Sequence, residues 1–225
     1  LYHSAILYVV ARAELIIPGQ YAKCPATALI AEAIVRHMRE EDAESRAAEE
    51  EFRRAVGCVK YRAFARINGV AVSASADCVR LDGPVAEVYE VKRFSSDCAV
   101  LWSLVEKFVQ AALYAAVVER AAGKLARAYV AVYTAEGGPY VLEVPRSVVH
   151  AAVEAVGPGA WRRMPFKHIP CSLCEWRAHC PLRRAPKGRV LDPELVNAVL
   201  QAASRAGLRV SLRACGGPGA RETAR

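Results

Sequence analysis

The sequence has few side-chain amides, few aromatic residues and no long uninterrupted apolar run. Its 225 residues include three Gln and two Asn, and aromatic residues make up 8% of the chain. Scarce amides together with many Arg and Glu indicate a heat-adapted source. Because 54% of the residues are apolar while aromatics are rare, the core must consist mainly of Ala, Val and Leu, and a disordered chain is excluded.

No segment offers the roughly 20 consecutive apolar residues that a membrane span needs. The apolar run from Ala5 to Ala11 is short, and no cleavage site of a secretory signal follows it. We therefore expect a cytoplasmic protein that forms one domain over residues 1–225. The Gly-rich, polar residues 214–225 are expected to form a flexible tail.

Basic residues outnumber acidic ones, with 31 Lys and Arg against 23 Asp and Glu, for a net charge of +8. This surplus fits a polyanionic partner such as DNA, and it equally fits a soluble protein with a basic surface. The charge alone does not separate the two interpretations.

Apolar periodicity and turn residues predict an α/β fold of mixed α+β type, with three consecutive strands before a long helix. Asn68-Gly69 is typical of a hairpin turn, and Gly123 is expected to end the long helix. The predicted helices are Cys24–Arg39, Arg39–Arg54, Leu101–Ala122, Pro145–Val156 and Leu191–Ala206; the predicted strands are Cys58–Ile67, Val70–Arg80, Ala86–Arg93, Arg127–Thr134 and Tyr140–Val144, with a turn at Gly137, Gly138 and Pro139.

Two carboxylates and one amine lie on neighbouring predicted strands. Glu90 and Lys92 are two residues apart on one strand, so both side chains project to the same face, and Asp77 can meet Glu90 across the ladder. Two carboxylates suit Mg²⁺ or Mn²⁺, and Lys92 could orient or deprotonate a metal-bound water or stabilise a phosphoryl transition state. The alternative is a solvated strand face with an ordinary ion pair.

The helix after Lys92 carries Lys107, Gln110 and Tyr114 on one face. This polar stripe could grip a DNA strand beside the metal site, with Tyr114 stacking on a base. The alternative is that Tyr114 is a core aromatic and Gln110 a surface residue.

Three cysteines form a C-x2-C-x5-C pattern within a segment rich in Pro and Arg, residues 164–184. They are Cys171, Cys174 and Cys180, and Cys24 is the best candidate for a fourth ligand because Pro follows it, as Pro follows Cys180. Four thiolates suit either an iron–sulfur cluster (4Fe-4S or 2Fe-2S) or a structural zinc. Such a centre would join the two ends of the chain.

The other cysteines are expected to differ from this set. Cys58, Cys78 and Cys98 lie in or beside the strands and are expected to pack as small apolar residues, and no role is assigned to Cys215. A disulfide framework is not expected in a reducing cytoplasm, although the cytoplasm of a heat-adapted archaeon could keep disulfides. His168 and His179 lie close to the trio and could replace one ligand.

These motifs, taken in order, resemble those of the CRISPR-associated RecB-like exonucleases (the Cas four family) in the PD-(D/E)xK nuclease superfamily. The matching residues run from Cys24 to about residue 184: Cys24-Pro25, Asp77, Glu90-Val91-Lys92, Gln110 to Tyr114, and the cysteine trio Cys171, Cys174 and Cys180.

The resemblance implies a central mixed sheet flanked by helices and metal-dependent cleavage of single-stranded DNA, often from the 5′ end. It implies that Asp77 and Glu90 bind the metal, that Lys92 is catalytic and that Gln110 and Tyr114 support the site. It further implies a cluster, more often 4Fe-4S, on the four cysteines. The biological setting would be spacer acquisition beside the CRISPR integrase.

The sequence departs from the family at the first metal ligand. The family usually places a metal-binding His on the helix before the first strand, and His37 is the histidine of that region. The Glu-rich helix, around Glu50 or Glu51, is the alternative source of this ligand.

The sequence is also compatible with two other functions. The chain could be a DNA-binding assembly subunit without catalysis, or a RecB-like nuclease of recombination repair. Loss of metal-dependent DNA degradation on substitution of Asp77 or Lys92 would separate a nuclease from a binding subunit.

Overall fold

The computed structural model describes residues 15–16, 18, 43–157, 172, 174 and 192–212. The predicted helix Cys24–Arg39 and the predicted tail 214–225 lie outside these residues, as do all positions of the segment 164–184 except Ser172 and Cys174.

Most of the predicted elements are present with nearly the predicted bounds. In chain order the elements are β1 (Leu15–Ile16), α1 (Ala43–Val56), β2 (Val59–Ile67), β3 (Val70–Arg80), β4 (Ala86–Arg93), β5 (Ala99–Val100), α2 (Leu101–Ala122), β6 (Ala126–Thr134), β7 (Gly137–Val144), α3 (Arg146–Ala155), α4 (Pro193–Arg205) and β8 (Val210–Ser211).

Six strands form one mixed sheet in the order β1-β3-β4-β6-β7, with β2 paired to β3. The pairs β1–β3 and β4–β6 are parallel, whereas β2–β3, β3–β4 and β6–β7 are antiparallel. The short strands β5 and β8 form a separate parallel pair. The predicted class, a mixed sheet flanked by helices, is confirmed.

Local sequence explains the turns that delimit these elements. Asn68 and Gly69 both have positive φ, 49° and 82°, the backbone that a two-residue hairpin between β2 and β3 requires. Gly123 ends α2 with φ of 65°. The predicted turn at Gly137 and Gly138 is wrong in part, because pairing of Thr134 with Gly137 extends β7 to that residue.

The helix α2 packs across one face of the sheet and contributes more buried residues to the main core than any other element. Fourteen of its 22 residues are buried, including Leu104, Phe108 and Leu113. The opposite face is covered in part by α1, where Phe52 packs 5.2 Å from the ring of Tyr89. The sheet is therefore enclosed on both sides near β4.

By length and mean hydropathy α2 could cross a membrane, although it contains no run of roughly 20 consecutive apolar residues. Its most apolar window has a mean hydropathy of 1.4, but 78% of that window is buried inside the fold. Here the apolar composition reflects a helix surrounded by a sheet and other helices, so α2 is a core helix of this domain.

Cys58 and Cys78 form a disulfide with a Cα–Cα distance of 5.5 Å, which corrects the prediction that they pack as reduced apolar residues. Cys98 is also disulfide-bonded. Cys58 and Cys78 are buried beside Phe52, as predicted, but strand pairing brings the two thiols together, which no spacing rule reveals. Among the described cysteines, Cys174 is free and half-buried.

Candidate active site

Asp77 lies at an irregularity in β3. Val59 on β2 pairs with Val79, and Tyr61 pairs with Ala76, so the single residue Lys60 faces two residues, Asp77 and Cys78. A bulge of this kind bends a strand and turns a side chain out of the regular alternation. It also breaks the pairing pattern at the position where β3 meets β4.

The side chain of Asp77 completes the hydrogen bonding between β3 and β4. The backbone ladder of these strands covers Cys78 to Arg80, and beyond it the Val91 backbone N–H donates to Asp77 Oδ2 at 2.9 Å. From the other side, Arg53 Nη1 donates to the backbone carbonyl of Asp77 at 3.1 Å. Asp77 is thus fixed by contacts to β4 and α1.

Glu90 lies on β4 and is paired with an amine from α2. Lys107 Nζ donates to Glu90 Oε1 at 2.6 Å, and the side chain of Glu90 is only 4% exposed. Among the described residues, the second oxygen, Glu90 Oε2, is buried and accepts no hydrogen bond while the neighbouring Asp77 is ionised. A buried carboxylate oxygen without a partner is costly, and it marks a position for an additional positive group.

Gln110 and Tyr114 extend this network along α2. Lys107 Nζ donates to Gln110 Oε1 at 2.8 Å, and Gln110 Nε2 donates to the Tyr114 hydroxyl at 2.8 Å. The spacing of three and four residues places all three side chains on one helix face, as the sequence predicts. The chain Tyr114–Gln110–Lys107 therefore holds the ammonium against Glu90.

The two acids repel one another in a buried environment. Burial and the charge of Glu90 raise the pKa of Asp77 well above its usual value. Burial raises the pKa of Glu90, although the ammonium of Lys107 opposes the shift. Burial lowers the pKa of Lys107, but attraction by Glu90 outweighs it and the pKa lies above the usual value. Lys107 pairs directly with Glu90, whereas Asp77 is attracted by the charges of Lys107 and Lys60.

Glu49 on α1 is a third buried acid near the pair, and sequence analysis missed it. It is 7% exposed, forms ion pairs with Arg53 and Lys60, and adds to the repulsion that raises the pKa of Glu90. Glu49 belongs to the Glu-rich helix predicted as a ligand source, whereas the side chain of its neighbour Glu50 is 55% exposed and Glu51 is exposed. The signal was present: Glu49 precedes the core residue Phe52 by three positions, so the two share a helix face.

Lys92 has the predicted position on β4, two residues after Glu90. It is half-buried, and its Nζ atom lies 5.9 Å from the centroid of the Phe94 ring. This distance allows a cation–π contact. The amine that contacts Glu90 directly is that of Lys107, which sequence analysis assigns to DNA binding.

Burial corrects the DNA-binding assignment of the α2 stripe. Tyr114 is 3% exposed and packs in the main core, so its ring face is not available for stacking on a base. The side chain of Lys107 is 15% exposed and paired with Glu90. The stripe faces the sheet because α2 packs with this face against β4, which helical spacing alone cannot show.

The remaining predicted ligands lie outside the described residues, except Cys174. This holds for Cys24, Cys171 and Cys180, for His37, and for His168 and His179. Within the described ranges, no group of three or more His, Cys, Asp or Glu side chains is arranged to hold a metal ion.

The acidic pair nevertheless fits a divalent cation by its chemistry. Asp77 and Glu90 offer hard carboxylate oxygens, and Glu90 Oε2 accepts no hydrogen bond from a donor among the described residues. Of the five buried polar residues in the described part of the chain, four belong to this cluster: Glu49, Asp77, Glu90 and Gln110. This concentration of buried charge is typical of a functional site.

Comparisons with known proteins add little to this picture. No protein-family model matches the sequence, and no curated protein matches it. Among solved structures, SSO0001 is similar with a TM-score of 0.49 and 13% identity over 82% of this chain and 98% of that chain. A proposed exonuclease from Eubacterium rectale is similar with a TM-score of 0.40 and 13% identity, over 75% of each chain. At these values neither similarity establishes a family.

Proposed function

We propose that this protein is a DNA exonuclease that depends on Mg²⁺ or Mn²⁺ and degrades single-stranded DNA from its 5′ end. The observation that carries the proposal is the buried pair Asp77 and Glu90, with Glu90 Oε2 lacking a partner among the described residues. Fold stability alone does not favour two repelling buried acids, so their retention suggests a chemical role.

Asp77 and Glu90 would hold the cation through Asp77 Oδ1 or Oδ2 and Glu90 Oε2. The Val91 N–H and the Lys107 ammonium fix the two carboxylates before any cation binds, which reduces the reorganisation that binding requires. When bound, the cation would lower the pKa of a coordinated water and neutralise charge on the scissile phosphate.

Lys92 is assigned to the reacting phosphate or water, because it follows Glu90 on the same strand face. Gln110 and Tyr114 are positioning residues: they contact Lys107 or each other, and they act on the reaction through Glu90. Among the described residues, the buried Glu49 is the candidate for the metal ligand that the family places on the helix before the first strand. His37, which lies outside the described residues, is the other candidate.

We also propose that Cys24, Cys171, Cys174 and Cys180 bind an iron–sulfur cluster. Cys174, the described member of this set, keeps a free thiol. A cluster ligand must be a free thiolate in the absence of iron. The motif order further supports a place in CRISPR spacer acquisition, beside the integrase.

The test compares degradation of single-stranded DNA labelled at the 5′ or the 3′ end, with Mg²⁺ or Mn²⁺ and with excess chelator. We expect short labelled products from the 5′ end, and loss of activity in chelator. Asp77→Asn and Glu90→Gln should each reduce the rate by at least about 100-fold, as for removal of a group that stabilises the transition state.

Glu143→Gln is the matched control, because Glu143 is an exposed acid on β7 and the substitution removes the same charge. This variant should keep the wild-type rate. Equal behaviour of the wild type and Asp77→Asn, or activity that persists in chelator, would contradict the nuclease mechanism and favour a DNA-binding subunit.

A further inference from the structure

One face of the β2–β3 hairpin packs beneath α2, and the other face is exposed at β2. Residues Tyr61, Ala63 and Ile67 of β2 point towards the core beneath α2. Alternation along the strand places Arg62, Phe64 and Arg66 on the opposite face, where all three are exposed. Among the described residues, α1 packs mainly on β4 and β3 and reaches β2 at Lys60, which pairs with Glu49.

Phe64 is the most exposed large apolar residue of the described structure, with 70% of its surface accessible. Its cross-strand partner on β3 is Ser73, and the partners of Arg62 and Arg66 are Ser75 and Ala71. Small side chains on β3 leave the ring of Phe64 standing above a shallow surface. A planar group can therefore lie against the ring.

The face is also basic and without acids. From Val59 to Ala76 the hairpin contains Lys60, Arg62 and Arg66 and no Asp or Glu. Within the described ranges Arg62 has no carboxylate partner, and Arg66 donates to the backbone carbonyl of Gly69 at 3.2 Å. Two guanidinium groups thus flank an exposed ring, and no carboxylate among the described residues pairs with either of them. A single exposed aromatic needs no explanation, but this combination does.

We propose that this face, defined by Arg62, Phe64 and Arg66, binds single-stranded DNA, with a base stacked on Phe64 and phosphates on the two arginines. Aromatic stacking combined with a basic path along the backbone is how proteins bind single strands without reading their sequence. An unpaired base exposes its π face, whereas a duplex hides it, so the face favours single strands over duplexes.

The strand that carries the face extends to Lys60, beside one residue of the candidate active site. Lys60 continues the same strand face and lies opposite Asp77 at the irregularity in β3. At about 3.3 Å per residue, Phe64 is roughly 13 Å from Lys60 along β2. Lys107 contacts Glu90 from α2, on the other face of the sheet, so the two sites do not share one face. DNA binding on Phe64 therefore does not depend on the proposed nuclease function.

The experiment measures binding in chelator, so that cleavage plays no part. Fluorescence anisotropy of a fluorescein-labelled oligothymidylate of about 15 nucleotides gives the dissociation constant of each variant. Phe64→Leu keeps an apolar side chain without a π face and should weaken binding about tenfold. Phe64→Trp should bind at least as well as the wild type.

The arginines are tested through the salt dependence. The double variant Arg62→Ala and Arg66→Ala should reduce the slope of log K against log salt concentration by roughly 1.4, about 0.7 for each lost phosphate contact. Arg127→Ala on β6 is the control for an exposed arginine elsewhere and should leave the slope unchanged. Thermal unfolding should not differ, since all these side chains are exposed.

Wild-type affinity in both Phe64→Leu and the double arginine variant would overturn the proposal. It would also be overturned if Phe64→Leu left DNA binding intact and changed the oligomeric state in sedimentation, since the face would then join copies of this chain. If the wild type binds through Phe64 but degrades no DNA with Mg²⁺ or Mn²⁺, the binding face stands and the nuclease function fails.

Discussion

Lys107 Nζ lies 2.6 Å from Glu90 Oε1, which joins the second turn of α2 to the centre of the sheet at β4. The contact is almost completely buried, so neither charge can be satisfied by water when its partner is removed. It lies at the centre of a network that extends to Gln110 and Tyr114 on one side and is adjacent to Asp77 on the other.

Removal of the Lys107 amine should destabilise the protein strongly. Lys107→Met leaves the carboxylate of Glu90 buried without its cation, and we expect a loss of about 3–5 kcal/mol in the free energy of unfolding at pH 7. Adding Glu90→Gln to Lys107→Met should recover most of this loss. Urea denaturation of the wild type, both single variants and the double variant measures the coupling. Additive effects would contradict the buried pair.

Asp77→Asn should stabilise the protein at neutral pH in the absence of divalent cations, while abolishing activity. The pKa of Asp77 is raised in the folded state, so its contribution to stability is present below the unfolded value near pH 4 and is lost as the pH rises through the folded value. The amide oxygen can still accept from the Val91 N–H. We expect a gain of about 1–3 kcal/mol at pH 7 and almost none at pH 3.

The measurement for Asp77→Asn is urea denaturation in chelator between pH 3 and pH 8, with Glu143→Gln as the control for loss of an exposed charge. The difference between Asp77→Asn and the wild type should grow with pH. A difference that shrinks as the pH rises would mean that the carboxylate of Asp77 is favourably placed, and that its burial reflects stability instead of function.

Tyr114→Phe should weaken the hydrogen-bond chain through Gln110 that holds the Lys107 ammonium against Glu90. The change removes the acceptor of Gln110 Nε2 and leaves a buried amide donor without a partner, at a cost of about 1–3 kcal/mol. Activity should fall, and the metal concentration required for half-maximal activity should rise, because Glu90 is less well positioned. Tyr129→Phe, whose ring stacks on Tyr89 at 4.8 Å, is the control and should leave the metal dependence unchanged.

Visible absorbance should distinguish the proposed cluster ligand Cys174 from the disulfide-bonded Cys58. Cys174→Ser should lose the brown colour of the anaerobically purified protein and lower its stability, because a cluster ligand is removed. Cys58→Ser should keep the visible absorbance. Equal loss of colour in both variants would show that the ligand set is wrong, and zinc in place of iron by metal analysis would exclude the iron–sulfur cluster.

The disulfide between Cys58 and Cys78 should contribute to stability without affecting the metal site. It closes a loop with a sequence separation of 20 residues, for which chain entropy predicts roughly 3 kcal/mol. The double variant Cys58→Ala and Cys78→Ala should therefore unfold at a lower urea concentration and keep its rate of DNA cleavage at moderate temperature. A wild-type midpoint would indicate that the thiols are reduced in solution.

The sequence by itself determined the elements and part of the site. Period-two strands, the Asn68-Gly69 turn and the apolar spacing of α2 are local properties, so β3, β4 and α2 were predicted with the bounds that the structure shows. The same local rules placed Lys107, Gln110 and Tyr114 on one helix face and Glu90 with Lys92 on one strand face.

Only the tertiary structure decided what these faces meet. Packing of α2 against β4 turned Lys107 towards Glu90 and buried Tyr114, and the irregularity opposite Lys60 aimed Asp77 at β4. Packing of α1 on β4 buried Glu49 and left the side chain of Glu50 exposed. These outcomes depend on contacts between residues far apart in the chain, where burial and charge pairing act over distances that local spacing does not encode.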